Sequence, residues 1–246
     1  MPFTFSHPAL ILPLTYLPRH WFSTTALVVG SLTPDFEYFL RMRINSQYSH
    51  TAWGMLWFDL PLGLILAWVF HQLVRNVLID NLPFFLKSRL HHYKHFSWLE
   101  YMRKRWWVVI ISMIIGIVSH LVWDGFTHEH ALFVDIIPWL NTRYHVLGRP
   151  VIAYRMVQHL STLLGGVVLF WAVWRMPQNL HIQARFNSTF WDIFALVTLP
   201  IFAARLFFRD AYLIGNLVAS AIAACLAGLV IASVVYQLLN KRNKEV

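Results

Sequence analysis

The chain has 246 residues, 58% hydrophobic and 13% charged, with a formal net charge of +9. Soluble domains carry about 25% charged residues, so this balance excludes an ordinary soluble globule. The positive excess reads as Lys/Arg in the cytoplasmic loops of a membrane protein rather than as a nucleic-acid surface. The single cysteine, Cys225, excludes an internal disulfide and a thiolate metal cluster.

The first 52 residues are the least regular. His7 and several prolines interrupt them, and the pattern of a cleaved leader is absent, so none is expected. Two apolar pieces, Ala9 to Leu17 and Trp21 to Leu32, are each too short to span a bilayer. Pro18, Arg19 and His20 separate them. They predict a pair of interfacial helices or a re-entrant hairpin. A single kinked span is the alternative, and it would carry His7 to the cytoplasmic side. Ser6 ahead of Pro8 reads as a helix start with Ser6 as its cap. In "GSLTPDFEYF", Pro34 fixes the approach to Asp35. Asp35 is either a helix cap or a carboxylate held rigidly for chemistry, with Glu37 as its candidate partner.

Five long apolar runs follow: Trp53 to Phe70, Trp106 to Trp123, Val157 to Trp174, Phe190 to Phe208 and Ala211 to Leu239. Each is near or above the ~18 residues that mark a spanning helix. The predicted fold is all-α: a polytopic membrane bundle of about five spans plus the amino-terminal hairpin. It reads as one membrane domain over 1-246. Residues 1-52 carry part of the site, 53-174 form the core spans, and 175-246 add accessory spans that complete the bundle or pair protomers in a homo-oligomer. Asp59 and Arg205 lie at lipid depth and are expected to pair or to line a polar cavity.

Twelve Lys/Arg fall in the loop Arg75 to Arg105, at Arg175 and Arg185, and in the tail after Asn240, against seven on the other face. That bias places the basic loops in the cytoplasm. It also places Asp35, His50, His120, Asp124, His128 and His159 together on the non-cytoplasmic rim, although the count did not use them. His120 and Asp124 are four residues apart, which on a helix stacks an imidazole and a carboxylate on one face, ~5–6 Å apart at Cβ. Nitrogen and oxygen donors of this kind suit zinc, and manganese or iron accept the same set. Gly125 lets the helix end there and turns His128 back. Arg155 lies one turn before His159, as a partner for an anionic oxygen such as phosphate or as a snorkelling interfacial cation. His91, His92 and His95 form a separate interfacial group. His20, His71, His145 and His181 receive no partner.

"MPFTFSHPA", "GSLTPDFEYF", "SHTAWG" and "SHLVWDGFTH", in this order, resemble the bacterial membrane family known as domain of unknown function 4184. The resemblance covers the chain through about His159. In motif order that family is similar to bacterial membrane-bound metal-dependent hydrolases. More distantly, the order resembles the helical zinc-dependent phospholipase C fold. The likeness implies His7, Asp35, His50, His120, Asp124, His128 and His159 as ligands to one or two divalent ions, zinc first, with Asp35 also a catalytic base. The phospholipases place a glutamate four residues after the last histidine, where this chain has Leu163, so a third ion is not implied.

The expectation is a metal-dependent hydrolase of a lipid or lipid-linked (phospho)ester at the membrane rim, with Arg155 binding substrate. A cation or proton carrier is the alternative of another class, although the inverted repeat that many carriers show is absent. A structural metal staple is the third.

Overall fold

The computed structural model describes residues 3–18, 20–146, 148–182 and 188–245. They are almost wholly helical. Among them, five helices are long and apolar enough to cross a membrane: Met55–Asn81, Trp98–Asp124, Ala153–Trp174, Ser188–Arg205 and Ile214–Arg242. By length and composition the chain is a multi-pass membrane protein. At 1.5 Å per residue a helix needs about 20 residues to cross a ~30 Å hydrocarbon layer. The outward faces are apolar, as at Leu163, Phe170, Leu196 and Leu199.

The amino-terminal pieces are two separate short helices, α1 (Pro8–Thr15) and α2 (Thr24–Leu32). They contact one another, and neither is long enough to span. Ser23 caps α2 by accepting from the Ala26 amide at 3.3 Å. Ser6 does not cap α1: its hydroxyl donates to the Phe3 carbonyl at 2.7 Å, inside a 3-10 turn over Thr4–Ser6. Asp35 closes a second 3-10 turn, Thr33–Asp35, which runs into the short helix α3 (Phe36–Arg41).

Sequence foresaw helices alone, but a two-stranded hairpin precedes the third span. Arg143–Val146 pairs antiparallel with Arg149–Ile152. Gly148, at φ +76, supplies the left-handed residue that such tight turns need.

The described residues form two compact units interleaved along the chain. The first comprises Met1–Asp35, Tyr48–Leu64 and Met102–Arg175. Its core holds Leu27, Met113, Ile117 and Val134, all fully buried. Hydrophobicity drives helices together weakly when lipid is the competing solvent, and small residues that let backbones touch take over. Gly30 of α2 and Gly116 of the second span do this. A Cβ on Gly30 would overlap the Met113 carbonyl, and one on Gly116 would overlap the Leu27 carbonyl. The α2 backbone therefore lies directly on the second span.

The second unit comprises Phe36–Gln47, Ile65–Tyr101 and Met176–Val246. The fourth and fifth spans pack on one another, and Phe190, Val77 and Ala232 form a buried cluster. Arg205, for which Asp59 stood as a candidate partner, engages Asp210 at 2.7 and 3.0 Å and the Met42 carbonyl. Asp59 is fully buried in the first span.

Candidate metal centre

Four side chains from three stretches of the first unit meet at one point. Asp35 arrives from the turn after α2, His50 from the loop before the first span, and His120 and Asp124 from the last turn of the second span. One ligand atom from each lies within 4.8 Å of the other three. His120 Nε2 is 3.3 Å from Asp124 Oδ2 and 3.5 Å from Asp35 Oδ1. His50 Nε2 is 3.4 Å and 3.5 Å from the same two oxygens. Donors about 2.1 Å from a tetrahedral ion stand about 3.4 Å apart, so the spacing is that of ligands around one cation.

The hydrogen bonds do not account for this gathering. Among the described residues, none reaches Asp35 Oδ1, His120 Nε2, either Asp124 oxygen or either His7 nitrogen, although all are buried. A buried donor or acceptor left unsatisfied costs about 1–3 kcal/mol. Several such atoms aimed at one point fit a metal ion that would satisfy them together.

The remaining atoms of these residues are tied down, as metal ligands usually are. His120 Nδ1 is 2.8 Å from the Ser31 carbonyl, which requires a proton on Nδ1 and turns Nε2 toward the centre. The glycine contact of α2 with the second span is what brings Ser31 there. Thr4 donates to Asp35 Oδ2 at 2.5 Å, turning Oδ1 inward. The Ser49 hydroxyl is 3.0 Å from His50 Nδ1. His50 itself has φ 61, a left-handed conformation uncommon for a non-glycine residue. Such strain persists where surrounding structure imposes it, and it clusters at functional sites. Thr4, Ser31 and Ser49 escaped sequence reasoning, since no spacing or charge marks them.

His7 and His128 flank the other oxygen of Asp124, at 3.6 Å from Nε2 and 3.7 Å from Nδ1. The His7 ring stacks on His120 with centroids 3.8 Å apart. Burial, reinforced by the neighbouring His120, pushes the His7 pKa down to about 3, so this imidazole is neutral at pH 7. Burial likewise lowers the His128 value. At His50 burial opposes protonation, but the Asp124 and Asp35 carboxylates outweigh it and raise the pKa. At Asp35 burial opposes ionisation, but His120 and then His50 hold the carboxyl below its usual range.

His159 and Arg155 are exposed on the third span, and His159 is outside the group of four. The Arg155 guanidinium lies 5.9 Å from the Tyr154 ring centre. Glu37, the candidate partner of Asp35, accepts instead from Arg41 Nε at 2.8 Å and the Gln47 amide at 2.9 Å. Gly125 follows the last residue of the second span and packs closely, since a Cβ there would meet the Phe133 ring at 2.7 Å. His71 sits 2.8 Å from an Arg75 nitrogen and stacks on Trp98.

Fold and site define a multi-pass helical membrane protein with a His/Asp cluster able to bind a metal ion. The family model described as "Domain of unknown function (DUF4184)" matches residues 1–236, and the chain belongs to that family. No curated protein and no solved structure matches it.

Proposed function

We propose that the protein is a membrane-embedded, metal-dependent hydrolase that cleaves an ester or phosphoester of a lipid or lipid-linked molecule at the non-cytoplasmic rim of the inner membrane. The observation that carries this reading is the convergence of buried, unsatisfied His and Asp atoms at ligand spacing. Asp35, His50, His120 and Asp124 would hold one divalent ion, with zinc the first candidate. His7 and His128, on the other oxygen of Asp124, are the donors for a second. Such an ion supplies Lewis acidity, which brings the pKa of nearby water toward neutrality and stabilises charge on an ester oxygen.

The chain's own groups do the rest. Thr4 and Ser31 fix the directions of Asp35 and His120. Asp35, ionised and rigid, can also take a proton from water. Where His7 does not hold a second ion, its neutral ring, with nitrogens that make no hydrogen bond among the described residues, can accept or relay one. Arg155 at the start of the third span is available to an anionic headgroup.

The test is purification in detergent, metal quantification, and assay of phosphatidyl and acyl ester substrates with and without chelator. Stoichiometric metal with chelator-sensitive turnover, both lost in His120→Ala, is expected. Absence of metal in the wild-type protein overturns the reading. Metal that supports stability without turnover assigns the cluster to a structural staple.

A further inference from the structure

Beside His7 lies an open groove of about 330 Å³ between the amino-terminal segment and the third span. One face of the third span, from Val157 through Leu164 to Val168, forms one wall, and Leu10 and Trp123 form the others. Val157 to Val168 are twelve residues, and the eleven helical steps between them give this wall about 16 Å of length. The lining is almost entirely apolar. Its two hydroxyls are already engaged: Ser6 donates to the Phe3 carbonyl, and Ser161 donates to the Val157 and Gln158 carbonyls. The one titratable side chain of the lining is His7, which is 4% exposed, whose nitrogens make no hydrogen bond among the described residues, and whose Nε2 faces Asp124.

A long apolar trough with a single polar group joined to a metal cluster calls for a ligand of the same polarity: a hydrocarbon chain bearing one polar head. We infer that this groove seats one acyl chain of the substrate and draws it out of the bulk bilayer while its ester reaches the cluster. The inference rests on the hydrolase reading for the fate of the ester, but not for the binding of the chain. A water-sized group takes about 30 Å³, so the groove holds on the order of ten methylene-sized groups. The polar atoms of a sugar or a nucleotide would find no partners along such walls.

The experiment uses the full chain, zinc-loaded, in nanodiscs containing phosphatidylglycerol with a diazirine midway along one acyl chain. After irradiation, adducts are expected to concentrate on Leu10, Leu160 and Leu164, at several times the yield on Leu199, an exposed residue of the fourth span that reports bulk lipid. Leu164→Trp and Val168→Trp, which fill the groove from positions that are not candidate ligands, should lower that yield at least fivefold with bound metal unchanged. Groove adducts no more frequent than those on Leu199, or yields unaltered in both variants that retain metal, overturn the proposal. The two readings fail separately. Chelator-sensitive turnover without groove labelling removes the groove and keeps the hydrolase. Labelling in a protein that binds no metal keeps the groove and removes the hydrolase.

Discussion

The two units treat charge in opposite ways. In the second unit the charged groups close on themselves: Arg205 with Asp210, Arg41 with Glu37, Lys94 with Asp80 at 2.5 Å, and Arg75 with His71 and the Lys94 and Phe96 carbonyls. In the first unit, Asp35, His120 and Asp124 are buried more deeply than most of these groups, yet among the described residues each keeps an oxygen or nitrogen without a hydrogen bond and turned to a common point. Buried polar groups ordinarily find partners, and a consistent exception has a cause. Closed pairs indicate structure; converging open ones indicate a ligand that the polypeptide does not itself supply.

That contrast can be broken most directly at the cluster. His120→Ala and Asp124→Ala should each abolish stoichiometric metal binding and reduce turnover by more than about a hundredfold, since the outer-lying partners of ligands alone are worth 10–100-fold. Elemental analysis and kinetics check this. Next in size is the joint that brings Ser31 to His120. Gly116→Ala forces a methyl group into the Leu27 carbonyl and should destabilise the first unit by about 1–3 kcal/mol, measured as a lowered unfolding temperature in detergent. Thr4→Val keeps the shape of the side chain but removes the hydrogen bond to Asp35. Metal affinity should fall about 10–100-fold with the helical signal unchanged, measured by chelator competition.

Acidity gives a subtler test. The carboxylates beside His50 raise its pKa in the metal-free protein, so its proton is held more tightly than on a free imidazole and competes with the ion. Metal affinity should therefore rise with pH, and uptake by the protonated ring should release a proton, read as buffer-dependent heats in titration calorimetry. The raised value also means that the stabilisation His50 gives the metal-free fold is complete below its unfolded pKa and fades as pH climbs through the folded one. His7 works oppositely: its folded pKa of about 3 leaves it neutral, and the cost of keeping it so grows as pH falls below the ordinary imidazole value of 6.5. The smallest effect should come from the closed pair. Asp210→Asn, at a half-buried position of the second unit, should leave metal content and turnover at wild-type values.

Much of the architecture is written in the sequence. The uncharged runs announce five spans, because hydrocarbon admits only backbones that satisfy their own hydrogen bonds and side chains that tolerate its company. The His120/Asp124 spacing announces a shared helical face, and the isolation of Asp35 and His50 beside spans makes them candidates. The hairpin at 143–152 escapes the sequence because its two strands are four residues each and largely exposed, too short for the alternation in Arg143–Val146 to stand out. Its trace was Gly148 before Pro150. Arg205 was offered to Asp59 because nothing local revealed Asp210, five residues on, as the partner its guanidinium takes.

Composition and periodicity thus determined the membrane class, the spans and the donor types, since each follows from how single side chains respond to lipid or water. Whether distant donors meet could not be read locally. It depends on the Gly30–Gly116 contact, on the left-handed turn at His50, and on Thr4 and Ser31 orienting atoms from other segments. Those are relations between backbones, and only the assembled fold holds them: it brought Asp35, His50, His120 and Asp124 to one centre and left His159 outside that group.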